Sequence, residues 1–288
     1  MAKEIVGFIG LGNMGEPMAH NIARAGYEMV VFDIAGTAER APDGATIADS
    51  VRGVAEQSTT VFLSLPTLAA NTDVIAEIAE RDTQGELVVV NTSTVGATVA
   101  AESHQRLSEK GVGYADAPVS GGASGAQNAT LTIIFSGDTV LFTRLQPLFD
   151  VIGANSFNVG SQPGQGQRMK MVNNHLAIST LLTTSEALAY GEAGGLDMKT
   201  MLDILNVSSG RSYTTEHIFP NFVLTETYES GGPASIIRKD IGLFVQESIA
   251  DGCRHGLAKT TLDLLEAFDD KNPDSDQTEV YPFIRHKK

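Results

Sequence analysis

A lysine followed three and four residues later by asparagines, Lys170 with Asn173 and Asn174 in the run GQGQRMKMVNN, is the combination in this chain best suited to moving a proton. On a helix those positions share one face. A lysine there can take the proton of a substrate hydroxyl or return it. It accepts only when neutral, which requires a pKa below the free value of about 10.4. Asn174 can hold the substrate or fix the ammonium by hydrogen bonding. Spacing alone leaves a second interpretation standing, a solvated lysine beside two capping amides.

The other chemical pattern is the run Gly10-Leu11-Gly12-Asn13-Met14-Gly15, which has the spacing GxGxxG. It sits between an apolar, strand-like stretch, Glu4 to Ile9, and a helical pattern, Glu16 to Ala25. There the chain can turn tightly, approach a pyrophosphate closely and present helix N-terminal N–H groups to it. Asp33 ends the second apolar run, where a carboxylate can accept hydrogen bonds from the adenine ribose hydroxyls and would repel a 2′-phosphate. No arginine follows immediately, so the pattern specifies NAD as cofactor rather than NADP.

These groups need a frame. Met29 to Phe32 completes a βαβ unit with the first strand, and Thr60 to Leu65, Leu87 to Val90, Gly113 to Ala115 and Thr130 to Ser136 read as further strands. Such alternation predicts a mostly parallel, doubly wound sheet of Rossmann type with helices on both faces, over residues 1–162. From residue 163 the character changes. A helix from about Gln167 to Ala193 would exceed about 35 Å at ~1.5 Å rise per residue, long enough to run along the seam between two domains. Asp197 caps a helix over Met198 to Asn206, the run Ser208-Ser209-Gly210 breaks it, and Ile236 to Ala250 and Lys259 to Phe268 continue the pattern. Residues 163–288 are therefore expected to form an all-α domain joined to the α/β domain by the long helix. The polar stretch Asp269 to Asp276 is expected to be a loop.

Length and composition agree with two packed domains, since 288 residues with 42% hydrophobic and 19% charged side chains can bury sizeable cores. The formal charge of −15 opposes nucleic acid and anionic membrane as partners. An anionic small substrate stays possible where local cations or N–H groups outweigh carboxylates beyond a Debye length of ~8 Å. A single cysteine, Cys253, permits no internal disulfide and no cysteine-based zinc site, and the six histidines show no ligand spacing. No signal-peptide pattern and no long apolar run is present, so a cytoplasmic protein is expected. The apolar helical half is expected to be covered in a homodimer or homotetramer.

Taken in order, GFIGLGNMGEPMAHNIARAG, DAPVSGGASGAQNATL at Asp116 to Leu131, GQGQRMKMVNN and Arg238-Lys239-Asp240 resemble four motifs of the β-hydroxyacid dehydrogenase family, over nearly the whole chain. The resemblance implies that Lys170 is catalytic and Asn174 supports it. It implies that Ser120, Gly121 and Gly122 hold a substrate carboxylate and that Lys239 lies near the nicotinamide, and Asn173 is a further candidate for binding the substrate. Small residues let backbone N–H groups converge on an anion, in accord with that cradle. Leu65, Pro66 and Thr94 match loops that face the cofactor in the family. The implied activity is hydride transfer between NAD and a small hydroxy acid, such as 3-hydroxyisobutyrate, or its semialdehyde. Two departures concern the pocket: Ala129 stands where the family usually has Gly, and Asn91 where it usually has Asp.

Other readings meet specific residues. A decarboxylating 6-phosphogluconate-type enzyme would need a Glu where Ala177 stands, and an imine reductase of the same fold would normally replace Lys170. A non-catalytic NAD-binding protein would need neither the lysine nor the cradle. Arg211, at a helix end, could be a surface residue or could reach a second anionic group of the substrate, and His175, on a different helix face from Lys170, reads as structural.

Overall fold

In the computed structural model, residues 4–82, 85–272 and 275–285 are described. The chain divides into two compact units, 1–170 and 171–288.

The first unit opens with β1 (Ile5–Ile9), α1 (Gly15–Arg24), β2 (Glu28–Phe32), a two-residue β3 (Thr46–Ile47), α2 (Val51–Gln57), β4 (Thr60–Leu63), α3 (Leu68–Ala79), β5 (Val88–Asn91), α4 (Ala97–Ser108) and β6 (Gly113–Asp116). These strands form one sheet in the order β3-β2-β1-β4-β5-β6, all pairs parallel. The two-residue alternation of side chains assigns each strand's residues to opposite cores. Val6 and Phe8 of β1, Phe62 of β4 and Val90 of β5 pack toward α1, with Phe8 stacked on Phe62 at 5.8 Å. Ile9, Val61, Leu63 and Val89 face the other way, onto α2, α3 and α4. Each such fully buried side chain stabilises the fold by roughly 1.5–3 kcal/mol, so the sheet is held from both sides.

The sequence placed Thr130 to Ser136 among the strands of this sheet, and the structure corrects that. Beyond β6 come β7 (Val119–Ser120), α5 (Gly122–Gln127), β8 (Leu131–Phe135), α6 (Thr139–Ile152) and β9 (Gly153–Asn158). β7, β8 and β9 make a separate three-stranded sheet, antiparallel between β7 and β8 and parallel between β8 and β9. Its inner residues, Leu131, Ile133 and Phe135, join the α1-side core, where Phe135, Phe142 and Phe149 form a ring cluster with centroids 5.1–6.0 Å apart.

α7 (Gln165–Ala193) starts in the first unit and ends in the second. The division falls after Lys170, inside this helix and later than the expected 162, because its first turn is bonded into the strand ends of the first unit, as described below. The second unit continues with α8 (Met198–Leu205), a π-helix over Thr214–Val223, α9 (Ala234–Ala250), α10 (Gly256–Asp269), a 3₁₀ turn over Gln277–Glu279 and α11 (Val280–Arg285). Its core gathers Ile178, Leu182, Met201, Phe219, Ile241 and Leu265. Asp197 caps α8 as expected, accepting from the Thr200 N–H at 2.8 Å. The π-helix was not foreseen; its start is fixed by Ser212, just before it, and Thr215, in its first turn, whose hydroxyls accept from each other's backbone N–H groups at 3.2 and 2.9 Å. The stretch expected to be a plain polar loop is more organised at both ends. Asp269 pairs with Arg238 at 2.9 Å, and Asp276 forms a capping box with Glu279. Residues 273 and 274 of that stretch lie outside the described residues.

Candidate active site

In a parallel sheet of this order the strand sequence reverses direction between β1 and β4, and the crevice beyond their carboxyl ends is where such folds bind ligands. Gly10 follows β1 and Leu65 follows β4, so the predicted cofactor loops flank that point. The glycines have separate physical jobs. Gly10 has φ +92°, and a Cβ there would lie 2.3 Å from the Ser64 carbonyl oxygen. A Cβ on Gly15 would lie 1.9 Å from the Gly10 oxygen, so the turn could not close on α1. A Cβ on Gly12 would meet nothing within 4 Å. Folding therefore does not require Gly12, while a ligand approaching the backbone would.

Asp33, at the end of β2, accepts from the Leu11 N–H at 2.6 Å and the Ala35 N–H at 2.7 Å, and Arg40 stands 3.5 Å from its Oδ1. Arg40 is seven residues beyond Asp33 in the sequence and reaches it only through the turn after β2. The Thr37 hydroxyl accepts from the Asp33 N–H at 2.8 Å and fixes the turn. The loops beyond β4 and β5 are bonded together: the Leu65 N–H donates to Ser93 Oγ at 2.9 Å, and the Thr92 hydroxyl to the Leu63 carbonyl at 2.6 Å. Pro66 is exposed and Thr94 half-buried at this edge. Open space at Gly12, an oriented carboxylate at Asp33 and loops at the switch point fit a dinucleotide.

Ser120 ends β7, and Gly121 (φ +133°) and Gly122 (φ +64°) turn the chain into α5 with backbone angles that favour glycine. Both glycines are exposed and Ser120 is half-buried. At the far end of α5 the Thr130 N–H closes a Schellman bond to the Gly125 carbonyl at 2.9 Å, with Ala129 between them at φ +54°. That left-handed position explains why a glycine is usual there. Asn91 is fully buried, donating to the Tyr114 hydroxyl at 3.1 Å and to Asn71 Oδ1 at 3.3 Å while accepting from the Ser93 N–H at 3.1 Å. An amide can both donate and accept, which an ionised Asp could not do.

Lys170 is 9% exposed, at the last position of the first unit. One turn before it, Gln167 and Asp116 are both fully buried and bonded to each other at 2.7 Å. Asp116 opens the run DAPVSGGASGAQNATL and Gln167 lies in GQGQRMKMVNN, but nothing in their spacing singles them out.

In the second unit Asn174 donates to Asp240 Oδ2 at 2.6 Å, and Lys239 pairs with Asp240 Oδ1 at 2.9 Å. Asp240 thus joins two residues predicted separately, and the sequence marked it only as the partner of Lys239. Asn173 donates to Asn174 Oδ1 at 3.2 Å. Arg211 is exposed and pairs with Glu216 at 3.0 Å, a surface ion pair. His175 stacks on Phe244 at 4.3 Å and shares a hydrogen bond with Ser179 at 3.1 Å; burial lowers its pKa.

Comparison with known proteins places this geometry among enzymes. Residues 5–160 match the family described as the NAD binding domain of 6-phosphogluconate dehydrogenase. Residues 164–284 match that described as NAD-binding of NADP-dependent 3-hydroxyisobutyrate dehydrogenase. The chain is 36% identical over 256 residues to 2-(hydroxymethyl)glutarate dehydrogenase of Eubacterium barkeri, covering 85% of this chain and 83% of that one. It is 35% identical over 274 residues to the NAD-dependent L-serine dehydrogenase of Pseudomonas aeruginosa, covering 90% of each. Among solved structures, the 3-hydroxyisobutyrate dehydrogenase of Mycobacterium tuberculosis with L-serine superposes with a TM-score of 0.86 at 26% identity, over 98% of this chain and 99% of that one.

Proposed function

Since the chain belongs to the β-hydroxyacid dehydrogenase family, we propose that it oxidises a small 3-hydroxy acid bearing a primary hydroxyl, or reduces the semialdehyde, with NAD as the hydride carrier. The substrates named for the three relatives share a hydroxymethyl group one carbon from a carboxylate. NAD supplies the hydride acceptor at the nicotinamide when bound. The loop from Gly10 to Gly15, Leu11, Asn13 and Met14 included, would hold its pyrophosphate. Asp33 would take the ribose, Leu65, Pro66 and Thr94 would complete the cofactor site of the first unit, and the family resemblance implies a nicotinamide role for Lys239.

The observation that carries this reading is the burial of Lys170 in the unit that holds the dinucleotide loop. A buried amine exchanges its proton with a bound hydroxyl rather than with solvent. Lys170 accepts the hydroxyl proton during oxidation and returns it during reduction. Asn174, fixed by Asp240, orients substrate or amine. Ser120, Gly121 and Gly122 receive the carboxylate, and Asn173 lies on the same helix face as Lys170. A role for Arg211 at a second anionic group would require it to leave Glu216. An imine reductase would not need the lysine.

Turnover with NAD and with NADP across 3-hydroxyisobutyrate, L-serine, 2-(hydroxymethyl)glutarate, 4-hydroxybutyrate and a sulfonate analogue tests the proposal. Oxidation of at least one carboxylate with higher kcat/KM for NAD is expected. No turnover of any, or preference for NADP, would overturn it.

Among the described residues no helix is long and apolar enough to cross a membrane. We also propose a homodimer or homotetramer, because the second unit exposes Leu176, Tyr190, Val207 and Leu257 at 64–87% of their surface; a monomer in light scattering would refute it. Its single cysteine, Cys253, is a free, exposed thiol and suits a reducing compartment, the cytoplasm.

A further inference from the structure

We propose that Asp116 and Gln167 are a positioning pair, a buried carboxylate and amide that fix the first turn of α7, and with it Lys170, against the loop beyond β5 and the strand leading into the Ser120 cradle. The inference rests on Lys170 being the proton carrier.

Gln167 is fully buried, and its side-chain amide makes four hydrogen bonds, its full complement. Its Oε1 accepts from the N–H groups of Val95 at 2.9 Å and Gly96 at 3.2 Å. Its Nε2 donates to the Ser93 carbonyl at 3.0 Å and to Asp116 Oδ1 at 2.7 Å. Asp116 Oδ2 accepts from the Gln167 N–H at 3.1 Å and from Ser136 Oγ at 3.0 Å, while the Gly166 N–H donates to Ser136 Oγ at 2.9 Å. A Cβ on Gly166 would lie 2.7 Å from the Ile134 oxygen and 2.9 Å from Asp116 Oδ2, so the helix start can approach this carboxylate only as glycine. The pair therefore ties together the segment that carries Thr94, the end of β6 three residues before Val119, and the helix that carries Lys170.

A helix start does not need this. The starts of α2, α3 and α8 are capped by Ser50, Thr67 and Asp197, an arrangement that avoids the desolvation cost of a buried ion. Asp116 has no exposed surface, and it stands at the turn before Lys170. Lys170 is three residues from Gln167, one turn along the same side of the helix. An error of 1 Å in a reacting group can cost about a hundredfold in rate, which gives a rigid anchor at this turn a catalytic use. Burial pushes the Asp116 carboxyl up to about 6 against the pull of its hydrogen bonds. The ionisable neighbour coupled to it is Tyr114, on the same strand, raised by its own burial and then by Asp116; His104 of α4 packs edge-on against that tyrosine. The hydrogen-bond partners of Asp116 from the other elements, Ser136, Gly164 and Gln167, are neutral.

Three measurements test the pair. Gln167→Met keeps length and removes every side-chain bond; it is expected to lower kcat by about 10- to 100-fold with the NADH dissociation constant within about threefold. Gln167→Glu puts two carboxylates together, which raises the pKa of one of them. The ratio of its kcat to that of the wild type should therefore climb at least about fivefold from about pH 8.5 to about pH 6.5, as the added group protonates and regains a donor. A structural role alone would not produce that dependence. The titration of Lys170 itself, followed by NMR of the reductively ¹³C-methylated amine, should move between wild type and Gln167→Met. A Gln167→Met variant within twofold of wild-type kcat, or a folded Gln167→Glu variant with a pH-independent ratio, would overturn the proposal. If Gln167→Met fails to fold, the Glu variant decides. If the wild type oxidises no acid, the dehydrogenase reading falls, and the lysine titration still decides the pair: an unmoved titration overturns it.

Discussion

The dinucleotide loop and the lysine turn are built on opposite plans. The loop is a backbone device, with Gly10 and Gly15 bringing main chain against main chain and Gly12 leaving open space for a ligand. The lysine turn is a side-chain device, in which Gln167 and Asp116, bonded to each other and to Ser93, Val95, Gly96 and Ser136, fill their hydrogen-bonding capacity out of contact with water. A backbone device tolerates most substitutions that spare its glycines. A buried polar network is sensitive at every member, because each broken bond strands a partner.

The largest effect expected from this contrast is at the group the network serves. Lys170→Ala should lower kcat by two to four orders of magnitude, roughly the usual worth of general acid–base catalysis, with NAD affinity little changed. Asn174→Ala should cost less, since the proton carrier remains. Steady-state kinetics with the best acid would check both, and a Lys170→Arg variant that oxidised normally would remove the proton-transfer role, because a guanidinium stays charged.

The network should also mark stability. Asp116 titrates in the folded protein near 6 against an ordinary value of 3.8, so the native state binds its proton more tightly than the unfolded chain does. Its contribution is present below about pH 3.8 and lost as pH rises through about 6, a change on the order of 3 kcal/mol. Denaturant titrations across that window should show a wild-type component that declines with pH and is absent from Asp116→Asn. Identical slopes in the two proteins would place the titration elsewhere.

At the loop, Gly12→Val should weaken NADH binding by about 30-fold or more while the melting temperature stays within a few degrees, because the side chain occupies ligand space rather than protein space. Gly15→Ala should instead fail to hold the loop at all, given the 1.9 Å approach. Equal damage to melting from both would erase the distinction. The smallest effect expected is at the cradle's far end, where Ala129→Gly should stabilise the protein by about 1 kcal/mol by relieving a left-handed alanine, measured as a shift in denaturant midpoint.

The same contrast explains what could be read from the sequence. The glycine loop, Asp33 and five of the six strands of the parallel sheet are local patterns in which period, spacing and neighbours fall within about thirty residues, while the two-residue β3 is too short to show a period. The helices α8, α9 and α10 were legible for the same reason, with ends shifted by a few residues. Gln167 and Asp116 are 51 residues apart and Gln167 and Val95 are 72 apart, so no window of sequence contains the reason for their burial. The second sheet was missed as a separate layer because a β-rich run such as Leu131 to Phe135 has the same alternation whichever sheet it joins. The π-helix has no periodic signal distinguishing it from an ordinary helix, and it contains Pro220, a residue type that breaks helical patterns.

The carboxylate of Asp33 has a thermodynamic side. With one oxygen bonded to the Leu11 N–H and the other to the Ala35 N–H, and Thr37 fixing the turn beneath it, its rotamer is set before any ribose arrives. Ordering a side chain at an interface costs about 0.5–1.5 kcal/mol when it happens on association; here the folding of the polypeptide has already absorbed it. Cofactor capture should therefore carry a smaller entropic penalty than contact counting suggests, and Thr37→Val, which frees the turn without touching the carboxylate, should shift binding calorimetry toward a less favourable entropy.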